Sequence, residues 1–229
     1  MQIAIPGRLV LFDYGDVISE PQSAADTEAL VAESRAEAEP FWRAYHAERN
    51  ALDHGLISSH EYWARIGRAC GSDWDEPRLQ RLWSLDVRSW VSANAEVVRI
   101  IGDLRAGGTR MALLSNAAAE YGGLFRFSPL SRYFEQVFVS GEMGLLKPDP
   151  AIYVSVADEL GMPPERIAFI DNREANIRGA ESVGMSGHVF THAAALRSYL
   201  DTLGADATRG RNEIPPTTCD ADHRPEGQQ

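Results

Sequence analysis

The stretch Phe12-Asp13-Tyr14-Gly15-Asp16-Val17 ends the short apolar run 8–12 with two carboxylates three residues apart. A carboxylate at the end of a buried strand is costly unless a cation meets it. Three further stretches place polar groups at comparable points: Leu114-Ser115-Asn116, Leu146-Lys147-Pro148-Asp149 and Ile170-Asp171-Asn172. Together they offer carboxylates, a hydroxyl, an ammonium and an acid–amide pair. Such a set suits nucleophilic displacement on an anionic substrate. The substrate charge is then offset by the lysine and by a divalent ion on oxygen ligands.

These groups need a scaffold that brings them together. Residues 8–12, 111–114, 136–139, 167–170 and 187–190 read as short buried strands, each closed by turn residues. Between them lie helical patterns. Val97 to Ala106 stops at Gly107-Gly108, Asp149-Pro150 opens a helix ending at Gly161, and Glu174 to Val183 stops at Gly184. Alternation of this kind predicts an α/β fold with a Rossmann-like parallel sheet and right-handed crossovers. Ligands bind such sheets beyond the carboxyl ends of the strands, so Asp13, Ser115 and Asp171 should converge on one edge.

From about residue 20 to 93 strand signal gives way to helical spacing, with Trp42, Tyr45, His46 and Arg49 on one stripe, mainly core packing with a polar edge. This predicts an inserted bundle of three or four helices. The organisation expected is a core of 1–19 and 94–204, a helical cap of 20–93, and a disordered polar tail from 205 to 229. Of the smaller polar residues, His54 and His60 read as solvated loop positions and Asn176 as ordering the loop around Asp171.

The 229 residues are 44% hydrophobic and 24% charged, with a net charge of −11. That balance argues against nucleic acid and anionic membrane as partners. Cys70 and Cys219 lie in unlike contexts, which makes a disulfide framework improbable and a reducing cytoplasm the default. No apolar run is long enough for a signal peptide or a membrane span.

In order and spacing, FDYGDV (12–17), LLSNA (113–117), GLLKPDP (144–150) and FIDNREANIRGA (169–180) resemble the haloacid dehalogenase superfamily of hydrolases. The likeness covers roughly residues 8 to 203 and is nearest to the branch of glucose-1-phosphate phosphatase and the N-terminal phosphatase domain of soluble epoxide hydrolase. It implies hydrolysis of a small phosphorylated metabolite with Mg²⁺, through an aspartyl-phosphate on Asp13. It makes Ser115, Asn116 and Lys147 the phosphate-binding residues, and Asp13, Asp171, Asn172 and the Gly15 carbonyl the metal ligands. The catalytic set it implies is Asp13, Ser115, Lys147 and Asp171.

Two positions depart from that pattern. Where the family places its acid/base aspartate, two residues after the nucleophile, this chain has Gly15. The acid follows at Asp16, about 3.5 Å further along the chain, with its side chain expected to point elsewhere. Asn172 stands where an acid usually touches the metal. Loss of a positioned acid/base costs about 10²–10⁴ in rate. The departures leave two alternatives: a metal-independent carbon–halogen hydrolase, and a non-catalytic binding protein that keeps the pocket.

Overall fold

The computed structural model describes residues 2–212. Five strands, β1 (Leu9–Phe12), β2 (Arg110–Ser115), β3 (Gln136–Val139), β4 (Ile167–Asp171) and β5 (Ser186–Val189), form one sheet. Its order is β3-β2-β1-β4-β5 and every pairing is parallel. The chain moves outward from β1 through β2 to β3, then crosses to the other side for β4. The order thus reverses beside β1, and the crevice at the strand ends opens there.

The central strands β1, β2 and β4 are apolar over most of their length because both sheet faces are covered there, whereas the edge strand β5 is polar and only partly buried. Val10, Phe12, Met111, Leu113 and Ile170 enter one core cluster, and Leu9, Leu11, Ala112, Leu114 and Phe169 the other. This is the two-residue alternation of a strand expressed twice. The first layer contains Ile100 and Leu104 of α5 (Ala95–Ala106) and Leu196 and Leu200 of α10 (Ala193–Asn212). The second contains Ile152 and Val156 of α8 (Pro150–Glu159) and Ile177 of α9 (Glu174–Glu181). Asp149 caps α8 with Pro150 in its first turn, as expected, and Asn94 caps α5.

Four helices are inserted after β1: α1 (Ala24–Ser34), α2 (Ala38–Asp53), α3 (Ser59–Ala69) and α4 (Glu76–Trp90). The outgoing and returning segments lie side by side. Ser19 bridges Ala93, Glu20 N–H donates to Ser92 O at 2.7 Å, and Asn94 N–H donates to Ile18 O at 2.8 Å. Phe41, Ile66 and Leu82 are fully buried among these helices, worth about 1.5–3 kcal/mol each. Two shorter helices, α6 (Glu120–Arg126) and α7 (Ser140–Met143), complete the strand-end face.

The expected disorder from residue 205 is corrected for 205–212, which continue α10. The reason is local: Gly204 is buried against the backbone of Ala4 rather than ending the helix. Residues 213–229, including Cys219, lie outside the described residues. Among the described residues no helix is long and apolar enough to cross a membrane.

Candidate active site

Asp13 follows the central strand, and its backbone N–H continues the ladder to Ile170 O at 2.8 Å. Its side chain stands at the floor of a cavity of about 420 Å³ between the sheet edge and the inserted helices. Ser115, at the end of the neighbouring strand β2, lines the same cavity and is buried.

Lys147 comes from the loop between α7 and α8, and Asn116 holds it there. The Asn116 amide accepts from Lys147 N–H at 3.0 Å and donates to Lys147 O at 2.9 Å. The ammonium then lies 2.7 Å from Asp13 Oδ1, 2.8 Å from Asp171 Oδ2 and 3.1 Å from Leu114 O. Its three donors meet three acceptors, as a buried ammonium requires. Burial pulls the Lys147 pKa down, but Asp13 and Asp171 outweigh it and the net shift is upward. Burial raises Asp13 to about 6 against the pull of Lys147, with Asp171 adding to the rise.

Asp171 is fully buried, and its carboxylate is saturated from within. It accepts from Arg173 N–H at 2.8 Å, from Asn176 Nδ2 at 3.1 and 2.9 Å, and from Lys147. It does not line the cavity. In this structure Oδ1 is held by Arg173 and Asn176 and Oδ2 by Asn176 and Lys147, so the expected metal ligand Asp171 is turned towards Lys147. Asn116, expected to bind phosphate, lines the cavity while its amide serves the Lys147 backbone. Asn176 orders the loop, as its position suggested.

Asp16 reverses another expectation. Its φ is 57°, in the left-handed region that Asp tolerates better than most residues. That turn brings its carboxylate back to the cavity, with Asn172 Nδ2 at 3.4 Å from Asp16 Oδ2. Burial raises the Asp16 pKa. Gly15 and Asn172 also line the cavity. Asp13, Asp16, the Gly15 carbonyl and the Asn172 amide make an all-oxygen donor set of the kind Mg²⁺ takes, a hard cation commonly held by one or two carboxylates plus waters. Among the described residues no group of three or more His, Cys, Asp or Glu side chains is placed to hold a metal.

The opposite wall is a second polar cluster. Tyr45, Arg49 and Asp53 are spaced four apart on α2. Arg49 Nε lies 3.1 Å from Asp53 Oδ1, Arg49 Nη1 lies 3.2 Å from Asp86 Oδ2, and Tyr45 O–H donates to Asp86 Oδ1 at 2.6 Å. Burial raises Asp53 to about 6, against Arg49. His46, Asn50, Trp90, Tyr121 and Phe125 complete this wall. The stripe of Tyr45, His46 and Arg49 was expected to be mainly core; the structure turns its polar edge to the cavity. Asp53, Asp86, Trp90 and Tyr121 went unnoticed, although the four-residue spacing of Arg49 and Asp53 was a legible signal. Close backbone contact seats the wall. Ser140 Oγ donates to Asp53 O at 2.6 Å, and Gly55, φ 76°, lies against Gly141, where an added Cβ would overlap the Gly141 carbonyl. His54, expected in solvent, has its Nε2 2.8 Å from Gly144 O; His60 is exposed and pairs with Glu76.

A helical cap inserted after the first strand of a parallel sheet, over a strand-end aspartate paired to lysine, defines a capped α/β hydrolase. The model of the haloacid dehalogenase-like hydrolases matches residues 8–184, and the chain belongs to that family. It is 30% identical over 157 residues to flavin mononucleotide hydrolase 1 of Arabidopsis thaliana, a match covering 69% of this chain and 62% of that protein. It is 31% identical over 103 residues to (S)-2-haloacid dehalogenase 1 of a Pseudomonas strain, covering 44% of this chain and 45% of that one. The chain thus spans less than two thirds of these two relatives. D-ribitol-5-phosphate phosphatase of Bacteroides thetaiotaomicron is 24% identical over 208 residues, 85% of this chain and 97% of that protein. A crystal structure of a family enzyme from the same species, in complex with magnesium and inorganic phosphate, superposes with a TM-score of 0.63 at 21% identity. It covers 82% of this chain and 98% of that one and shares the fold.

Proposed function

We propose that this hydrolase cleaves a small phosphate monoester with Asp13 as nucleophile. The observation that carries the reading is the Lys147 ammonium, seated between Asp13 and Asp171 at the cavity floor. Lys147 engages Asp13 Oδ1, which leaves Oδ2 to attack phosphorus. The new bond is an acyl phosphate on Asp13; the ester P–O bond breaks and the alcohol leaves, taking up a proton. Water then attacks the acyl phosphate, releasing phosphate and restoring the carboxylate. The Ser115 hydroxyl binds a phosphoryl oxygen and the Lys147 ammonium supplies positive charge beside it, while Asp171 and Asn116 hold Lys147 in place and Asn176 holds Asp171.

Asp13, the Gly15 carbonyl and Asn172 would hold Mg²⁺, with the Asp16 carboxylate alongside. When bound, the ion offsets phosphate charge and polarises the phosphoryl group. With glycine at position 15, protonation of the leaving alcohol is poorly assisted, so esters with good leaving groups react best. In this reading the core is 1–19 and 94–204, the cap 20–93, the setting cytoplasmic, and the substrate a small phosphorylated metabolite.

The test is phosphate release from a panel of phosphorylated metabolites with and without Mg²⁺, beside Asp13→Asn. Wild-type turnover that rises with Mg²⁺ and vanishes in Asp13→Asn is expected. Undiminished turnover in that variant would exclude the mechanism. A second reading, carbon–halogen hydrolysis through an aspartyl ester on Asp13, is favoured by the neutral Asn172. Chloride release from 2-chloropropionate without added metal would select it.

A further inference from the structure

The lysine and arginines that line the cavity are Arg49, Lys147 and Arg173. Two of them are committed. Lys147 is held by Asp13, Asp171 and Leu114 O. Arg49 is held by Asp53 and Asp86, with its Nη1 also donating to the Tyr45 phenol at 3.1 Å. Arg173 differs. Its hydrogen bonds are those of its backbone: N–H donates to Asp171 Oδ1, and C=O accepts from Asn176 and Ile177 N–H. Among the described residues its guanidinium has neither a hydrogen-bond nor an ion-pair partner, and the residue is exposed where Lys147 is buried.

Arg173 follows Asn172 at the end of β4 and precedes α9. Its charge acts on Asp16 of the core and on Asp53 of the inserted helices, so it stands within electrostatic reach of both walls. Neither carboxylate binds it: Asp53 is taken by Arg49, and Asp16 accepts from Asn172 Nδ2. In the phosphatase reading the phosphoryl group is met at the floor by Ser115 and Lys147. Arg173 offers a second positive point away from that floor. Its planar fork of donors fits a carboxylate through two parallel hydrogen bonds. A cavity of about 420 Å³ has room for a phosphate and a short carbon chain.

We propose that Arg173 is a specificity residue that selects phosphate esters whose leaving group carries a carboxylate, the esters of small hydroxy acids. The proposal rests on the phosphatase reading of the floor and adds the charge of the substrate's organic part. A leaving group without that charge leaves the guanidinium to water, and a cationic one meets it as a like charge.

The test uses esters of similar size, 2-phosphoglycolate, ethyl phosphate and O-phosphoethanolamine, whose leaving groups are anionic, neutral and cationic. The kcat/KM ratio of phosphoglycolate to ethyl phosphate should fall about fivefold to tenfold from wild-type to Arg173→Gln, the scale of one charge-assisted hydrogen-bonded pair near solvent. Comparing the two proteins cancels the differing reactivity of the esters. Arg173→Lys should restore part of the ratio, and added salt should lower it in wild-type. Calorimetric titration into Asp13→Asn and Asp13→Asn/Arg173→Gln reads the same selection without turnover: tightest for phosphoglycolate and weakest for phosphoethanolamine in the first, levelled in the second. A ratio that is the same with Arg or Gln at position 173 would overturn the proposal. So would tighter binding of phosphoethanolamine than of phosphoglycolate to Asp13→Asn, which would hand the choice to Asp16 and Asp53. If no ester is hydrolysed the function proposed for the floor fails, while the binding series still decides the role of Arg173.

Discussion

Replacing Lys147 by Met removes one charge and keeps most of the side-chain volume. The ammonium lies within 2.8 Å of two carboxylates, and its residue is only 4% exposed. Without it Asp13 and Asp171 remain buried as like charges with no cation between them. Removing one partner of a buried pair costs about 3–5 kcal/mol. In a chain of this size each kcal/mol moves the melting temperature by about 2–4 °C, so a fall of about 10 °C at pH 7.5 is expected. Part of the penalty belongs to ionised Asp13, so it should shrink as Asp13 takes up a proton. The assay is a set of thermal melts of both proteins between pH 8 and pH 5, followed by circular dichroism. The gap should be widest at high pH and narrow towards pH 5, and adding Asp13→Asn to the variant should recover part of the loss. Equal melting temperatures at pH 7.5, or a gap that ignores pH, would refute the assignment of Lys147 as the counter-charge.

Gly15 has an open approach: the atom nearest an added Cβ is Trp90 Cζ3, at an ordinary 3.9 Å. Gly15→Asp should therefore fold and raise kcat for alkyl phosphates by about 10²-fold, with far less effect on acetyl phosphate; equal effects on both would argue against a missing acid. Asp53 has a pKa of about 6 in the folded protein against an ordinary 3.8. Its protonation favours the folded state, fully below about pH 4, and this contribution of about 3 kcal/mol is lost as pH rises through 6. Asp53→Asn should flatten the fall of melting temperature between pH 4 and 7, without levelling it because Asp13 acts in the same direction. Parallel curves for the two proteins would disprove this.

The central strands were legible because each is a short apolar run with a turn residue at its end, and Asp13, Ser115 and Asp171 stand at those ends. Lys147 was legible from its place before Pro148. What the sequence hid depends on contacts distant along the chain or on a backbone angle. Nothing near Asp171 shows that Lys147 and Asn176 fill its carboxylate, or near Asn116 that its amide closes on the Lys147 backbone. Tyr45 and Asp86 meet only through the tertiary fold, as a side-chain bond between residues 41 apart on α2 and α4. The inward turn of Asp16 follows from a left-handed φ that an extended-chain estimate could not foresee. The helix beyond residue 204 is continuous because Gly204 packs on Ala4 instead of ending it.

β1 has a strand on each side, and Asp13 is attached directly to it. Amide protons at Leu11 and Phe12 can reach solvent only when the middle of the sheet comes apart, so their exchange with deuterium should be as slow as global unfolding. The helices over the cavity hang on two adjacent chain segments and can loosen without disturbing that strand. The Asp13 carboxylate thus keeps its place through every fluctuation short of denaturation, while the space above it is free to admit and release molecules.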